Sequence, residues 1–192
     1  MPDPNSEALA FLAARRSRPA KILAGPAPDT STLRKLLTIA ARVPDHGKLE
    51  PWRFLVLEKP ALGRLGETLP EKGDALGIEV DKVEKAVREF SNATLAVVVV
   101  ASPKPSEKIP EIEQTLSAGA VCMQLLNAAL ADGWGANWLS GWASHDRDWR
   151  ERNLGLMPHE WIAGIIHLGT ERTTPPERPR PDLDTIIEWI EA

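Results

Sequence analysis

Helical and strand signatures alternate along the chain, which predicts a single domain of the α/β or α+β class. Three observations carry this expectation. Leu95 to Ala101 (LAVVVVA) is a continuous β-branched run, as expected of a central strand covered on both faces. Trp161 to Leu168 is a second strongly apolar strand pattern, and Glu111 to Ala131 between them repeats apolar residues at helical spacing. With 192 residues, 43% hydrophobic and 26% charged, the chain has material for one core, which excludes wholesale disorder, collagen and a coiled-coil rod.

Taken in order, Asn5 or Ser6 caps a first helix with Leu9, Leu12 and Ala13 on one side, ended by Pro19 and the Gly25-Pro26 pair. PDTST caps a second helix whose apolar face is Leu33, Leu36, Leu37, Ala40 and Ala41, until Pro44 stops it. VPDHGKLEP is a loop held between two prolines. Trp52 to Leu57 predicts a strand, followed by a helix across Pro60 to Leu69. A charged helix from about Asp74 to Glu89 buries Ile78, Val83 and Val87. The strand from Thr94 to Ala101 leads through a solvated SPKPSEKIP loop into the long helix. There Leu116, Ala120, Met123, Leu126 or Asn127, and Leu130 form a stripe, and Ala118, Gly119 and Ala120 leave room for a close backbone approach. Gly135 to Leu139 is a strand, Asp146 to Arg152 a short helix. The tail from Thr173 carries four prolines in nine residues and ends in the apolar TIIEWI, so it is expected to lie on its own domain or on a partner.

A net charge of −4 speaks against a general nucleic-acid surface, but residues 1 to 60 carry ten Lys/Arg against six Asp/Glu, so an anion is better received there. The lone Cys122 forms no internal disulfide and reads as a buried, inert thiol suited to a reducing cytosol. No apolar run approaches the ~20 residues that span a bilayer, and the N-terminus has no export signal, so a cytoplasmic protein is expected. Neither GxxxxGK[ST] nor GxGxxG occurs. His145 and His159, with their acidic neighbours, lack metal-ligand spacing and read as caps and turn residues, so no metal is expected.

Three segments remain. Arg15-Arg16-Ser17 at a helix end offers two guanidiniums and a hydroxyl to a phosphate. Arg42-Val-Pro-Asp-His46 with Glu50-Pro-Trp52 sets a cation, an imidazole and an indole around a proline-held loop. Asn137-Trp138-Leu139-Ser140-Gly141 is a strand end whose amides can face a planar ligand.

These segments, with SAGAVCMQLLNAALADGWGANWLSG and the IIHLGT strand, stand in an order and spacing that closely resemble the nitroreductase family of flavin enzymes, in its short, minimal subgroup. The resemblance covers nearly the whole chain. It implies an α+β fold with a central mixed, mostly antiparallel sheet wrapped by helices, in an intertwined homodimer binding one FMN at each subunit junction. Residues 1–192 are then one FMN-binding domain, with 173–192 an arm packing on the partner.

Carried over by position, Arg15, Arg16 and Ser17 would grip the FMN phosphate and Arg42 the polar edge of the flavin. His46 would reach the FMN of the other subunit, and Trp138, Leu139 and Ser140 would line the ring. The cofactor supplies the redox chemistry, so no catalytic side chain is implied. Two departures are visible: Glu50 stands where many relatives carry glutamine before Pro-Trp, and Leu139 where close relatives often carry arginine. In longer relatives a basic residue of the tail also touches the phosphate, as Arg178 or Arg180 would, but the short subgroup does not regularly keep it, so neither is assigned to the site. The implied function is NAD(P)H-dependent reduction of a small planar acceptor, a nitroaromatic, quinone or other conjugated electrophile. An FMN carrier or redox sensor with little turnover is the alternative.

Overall fold

The computed structural model describes residues 3–190. Five strands form one sheet: β1 (Leu23–Ala24), β2 (Trp52–Glu58), β3 (Leu95–Ala101), β4 (Gly135–Leu139) and β5 (Trp161–Glu171). β3 lies between β2 and β5, while β4 and the short β1 also pair with β5. Every pairing is antiparallel, so the expected mixed sheet is antiparallel throughout the described residues.

All seven residues of LAVVVVA are buried because β3 is central and covered twice. Val97 and Val99 face a layer of α2 (Thr30–Ala40) and α6 (Glu111–Ala131), meeting Leu36, Val121 and Leu125. Ala96, Val98 and Val100 face the opposite layer, built from α3 (Lys59–Glu67), α4 (Leu69–Ala75), α5 (Val80–Asn92), α7 (Trp142–His145) and α8 (Arg147–Leu154). Full burial of each such valine is worth about 1.5–3 kcal/mol. Trp149 anchors the second layer: it meets Phe90 edge-on at 5.9 Å and donates its indole N–H to Thr68 Oγ1 at 2.8 Å.

Helix boundaries follow their caps. Asn5 Oδ1 accepts from the N–H of Ala8 at the start of α1 (Ser6–Ala14), and Asp29 Oδ1 accepts from Thr32 at the start of α2. The segment expected as two helices over 60–89 contains three. Gly77, with φ +66°, ends the turn after α4, and α5 starts afresh at Val80. The expected 146–152 helix is α8, capped by Asp146, with α7 preceding it.

The stripe predicted for α6 is turned. Leu116 is 66% exposed, and the buried face is instead Ala118, Val121, Cys122, Leu125, Leu126 and Ala129. A methyl group on Gly119 would meet nothing within 4 Å, so no other part of the described chain comes close to the helix at that position, whereas Ala118 is buried in the core. Burial pushes the Cys122 thiol up to about 12, which keeps it unreactive. No helix among the described residues is long and apolar enough to cross a membrane.

Candidate functional site

The residues that follow α1 are stitched to the sheet. Arg18 donates its backbone N–H to Ala136 O on β4 at 2.8 Å, and its Nε to Glu171 Oε2 at the end of β5 at 2.9 Å. The chain returns over the same edge after β5, where the N–H of Arg172 bonds Ile22 O at 3.1 Å. These links close a cavity of about 330 Å³ lined by Arg15, Arg16, Ser17, Asn137, Arg178 and Arg180.

Four guanidiniums line this cavity, and no carboxylate does. Arg15 Nε, Arg16 Nε and Arg16 Nη1 are buried with no hydrogen-bond partner. A buried donor left unmade is costly, more so when charged. Burial first, and then the cations Arg180 and Arg18, hold the Arg15 guanidinium below its ordinary value. Glu177, outside the lining, pairs with Arg180 at 3.1 Å and satisfies none of those buried nitrogens. The donor set matches an anion with several acceptor oxygens, as a phosphate monoester presents.

A second cavity of about 470 Å³ adjoins the first, sharing Pro19 and Asn137. Its walls include Leu139 from β4, Lys21, and Lys85, Arg88 and Asn92 from α5. Leu139, one of the sequence departures, therefore faces a pocket in which other elements place three cations and the carboxylate of Glu89, with Lys85 3.8 Å from Glu89 and Arg88 3.2 Å from Glu84. The largest cavity described, about 610 Å³ between α2 and the edge strand β2, contains none of the predicted site residues.

Alternation along β4 separates Trp138 from its neighbours. Asn137 and Leu139 line these pockets, whereas the Trp138 side chain takes the opposite sheet face, over Gly164. A Cβ at Gly164 would overlap the indole at Nε1, Cδ1 and Cε2. Gly164→Ala is therefore expected to displace the ring and destabilise the protein by about 1–3 kcal/mol, the usual cost of overpacking. Thermal denaturation checks this, and the penalty should largely vanish in a Trp138→Ala background. Ser140 is exposed beyond the strand end, and the buried Nε1 of Trp142 has no partner.

Arg42 and His46 stand apart from both cavities, on the loop after α2. Asp45 organises that loop, accepting from the N–H groups of Leu49 at 3.2 Å and Glu50 at 2.8 Å. Ser117 of α6 donates to Pro44 O at 2.6 Å, and His46 Nδ1 lies 2.7 Å from Glu113 Oε2. One chain thus gathers Arg15, Arg16, Ser17 and Leu139, leaves Arg42 and His46 exposed elsewhere, and turns the Trp138 ring away. Asn137, Arg178, Arg180, Lys21, Lys85 and Arg88 join the site without having been assigned to it from sequence. Among the described residues, no three His, Cys, Asp or Glu side chains are grouped to hold a metal ion.

The family model described as "Nitroreductase family" matches residues 12–170. The chain is 35% identical over 164 residues to the Escherichia coli (strain K12) protein named "Putative NAD(P)H nitroreductase YdjA", covering 85% of this chain and 88% of that one. It is 33% identical over 165 residues to a Haemophilus influenzae protein named "Putative NAD(P)H nitroreductase", with the same two shares covered. Among solved structures it resembles a nitroreductase-like family protein from Bacillus cereus, with a TM-score of 0.80, 23% identity and 100% of each chain covered. It also resembles a nitroreductase with bound FMN from Bacteroides fragilis, with a TM-score of 0.71, 20% identity, and 98% and 100% of the two chains covered.

Proposed function

The chain belongs to the nitroreductase family, and from that premise we propose that it is an FMN-dependent oxidoreductase carrying hydride from NAD(P)H to a small planar acceptor. The observation that carries the cofactor assignment is the set of three buried, unpartnered guanidinium nitrogens on Arg15 and Arg16. They need an anion, and the FMN phosphate fits the donor set. When bound, FMN would supply the redox chemistry of hydride transfer between nicotinamide and acceptor.

Arg15, Arg16 and Ser17 hold the phosphate, with Arg178 and Arg180 closing over it from the returning chain. Asn137, common to both cavities, and the apolar Leu139 lead from the phosphate end to the slot that would receive the ring. Lys85 and Arg88 are paired with Glu89 and Glu84 on the same helix, so Lys21 is the cation of that slot best placed to favour the electron-rich reduced state. Planar, weakly polar acceptors such as quinones and nitroaromatics suit a slot with an apolar wall. Purified protein should be yellow with a flavin spectrum and should oxidise NAD(P)H when a quinone is supplied. A colourless protein that takes up no FMN would sink this reading.

The active form we propose is a homodimer, with Arg42 and His46 of one copy completing the site of the other. Exposed apolar surface supports it. No residue of α1 is buried, Leu9 and Leu12 are exposed, as are Ile112 and Leu116 on α6, and the tail ends in exposed Ile186, Ile187, Trp189 and Ile190. The 173–192 arm would cover such surface on the partner; its residues 191 and 192 lie outside the described residues. Sedimentation should give a dimer, and a monomer retaining FMN at micromolar concentration would refute the shared site.

A further inference from the structure

The His46–Glu113 contact joins two elements 67 residues apart. Nδ1 of the imidazole meets Oε2 of the carboxylate at 2.7 Å, so when neutral His46 carries its proton on Nδ1, and the side chain is 64% exposed.

The loop bearing His46 is built to hold that pose. Gly47 has φ +72°, and the non-glycine residues Lys48 and Glu50 have φ +53° and +47°, a left-handed conformation that costs energy unless its surroundings enforce it. They do so here. Asp45 binds two backbone N–H groups, Ser117 holds Pro44 O, and Gly47 packs so tightly on Ile109 that a Cβ would not fit. Glu113 is itself fixed in the first turn of α6. Ile112 and Leu116 flank it on the same helix, both exposed, so the pair lies beside apolar surface of the kind a second copy would cover.

We propose that Glu113 is a positioning residue for His46, and that the pair delivers the proton accompanying hydride transfer to the acceptor. This rests on the reading above, in which the His46 loop of one copy faces the flavin site of the other. Reduction of a quinone by NAD(P)H consumes one hydride, carrying two electrons, and one further proton. In this step the Nε2–H bond of charged His46 breaks as an O–H bond forms on the acceptor. Glu113 keeps the Nδ1 proton throughout, and His46 is reprotonated from solvent.

The tautomer is read first, by long-range proton–nitrogen NMR on the full chain labelled at histidine, with no FMN added. Neutral His46 is expected as the Nδ1–H form. Glu113→Ala should turn it to the Nε2–H form that prevails for free imidazole side chains, whereas Glu113→Gln, whose amide oxygen still accepts, should retain Nδ1–H. The second arm uses FMN-loaded, prereduced enzyme in a stopped flow, comparing a quinone with ferricyanide, which takes electrons and no proton. In Glu113→Ala the ratio of quinone to ferricyanide rates should fall by roughly 10- to 100-fold, within the range of general acid catalysis. An Nε2–H tautomer in the unmodified protein, or no change of tautomer in Glu113→Ala, overturns the pairing. An unchanged rate ratio overturns the proton delivery. If Glu113→Ala does not fold, Glu113→Leu serves both arms with the same change of tautomer and the same fall expected, while Glu113→Gln, which keeps the Nδ1–H form, should keep most of the ratio. Failure to bind FMN at all would defeat the functional reading while leaving the tautomer result standing on its own.

Discussion

Replacing Arg16 with alanine is expected to weaken FMN binding roughly ten- to hundredfold, the equivalent of one charge-assisted hydrogen bond of about 1.5–3 kcal/mol. Arg16 contributes two buried nitrogens without a partner and Arg15 one, so Arg15→Ala should fall at the lower end of that range. The double variant should lose more than either single one, though neighbouring groups on one phosphate need not add. Arg16→Lys should not restore binding, since an ammonium replaces a planar fork with a point charge. Stability separates this from a structural role. Removing one cation from a cluster that repels itself should leave the ligand-free melting temperature unchanged or raise it, while the gain on adding FMN shrinks. Fluorescence titration with FMN measures the first effect and calorimetry the second. Unchanged affinity in both single variants would move the phosphate elsewhere.

The RRS segment stood out only through the resemblance, since a cationic run at a helix end equally suits the helix dipole, and the structure places Arg15, Arg16 and Ser17 along one cavity beside β4. Arg178 and Arg180 were harder to place. They sit in a proline-rich arm with no periodicity, and only the return of the chain past Ile22 brings them to the cavity. Lys85 and Arg88 read as the solvated side of a charged helix, and they are exposed and paired with Glu89 and Glu84, while nothing local marks that this side borders the same cavity as Leu139. The strands were readable for a plain reason: LAVVVVA has no polar face and fits only the middle of a sheet. The stripe on α6 misled because Leu116 points outward, and apolar periodicity does not tell a core face from an interface between copies. Trp138 shows the limit of reading a segment as a unit, since adjacent strand residues point to opposite faces and only the register, with Gly164 beneath the indole, says which.

Acid should destabilise the protein in two nearly consecutive steps, and the first belongs to His167. This residue lies on β5 between Ala96 of β3 and Asn137 of β4, is 3% exposed, and has Nδ1 buried without a partner. Burial holds it down to about 4 from an ordinary 6.5. An unfolded chain therefore takes up a proton near pH 6.5 that the folded one refuses until about pH 4. The unfolded state binds more protons across that interval, so stability is lost as pH falls through it, by about 3 kcal/mol in all. Glu160 supplies the second step. Arg53 grips both its oxygens, at 2.7 and 2.6 Å, and holds it down to about 2, so its contribution is complete above about pH 4.5 and disappears as pH falls toward 2. Urea unfolding of the wild type should lose about 3 kcal/mol between pH 7 and pH 4, and His167→Gln should flatten that interval without removing the Glu160 step. Since the slope is the readout, any constant loss of stability in the variant does not obscure the result. An equal slope in both proteins would mean that the folded state accepts the proton after all. His167 is the register partner of Asn137, which lines both cavities, so acid opening at this point loosens the wall shared by the phosphate site and the ring slot. Release of FMN, followed by its fluorescence, should then set in only near pH 4, where the folded state begins to take up the proton, and be much reduced in His167→Gln.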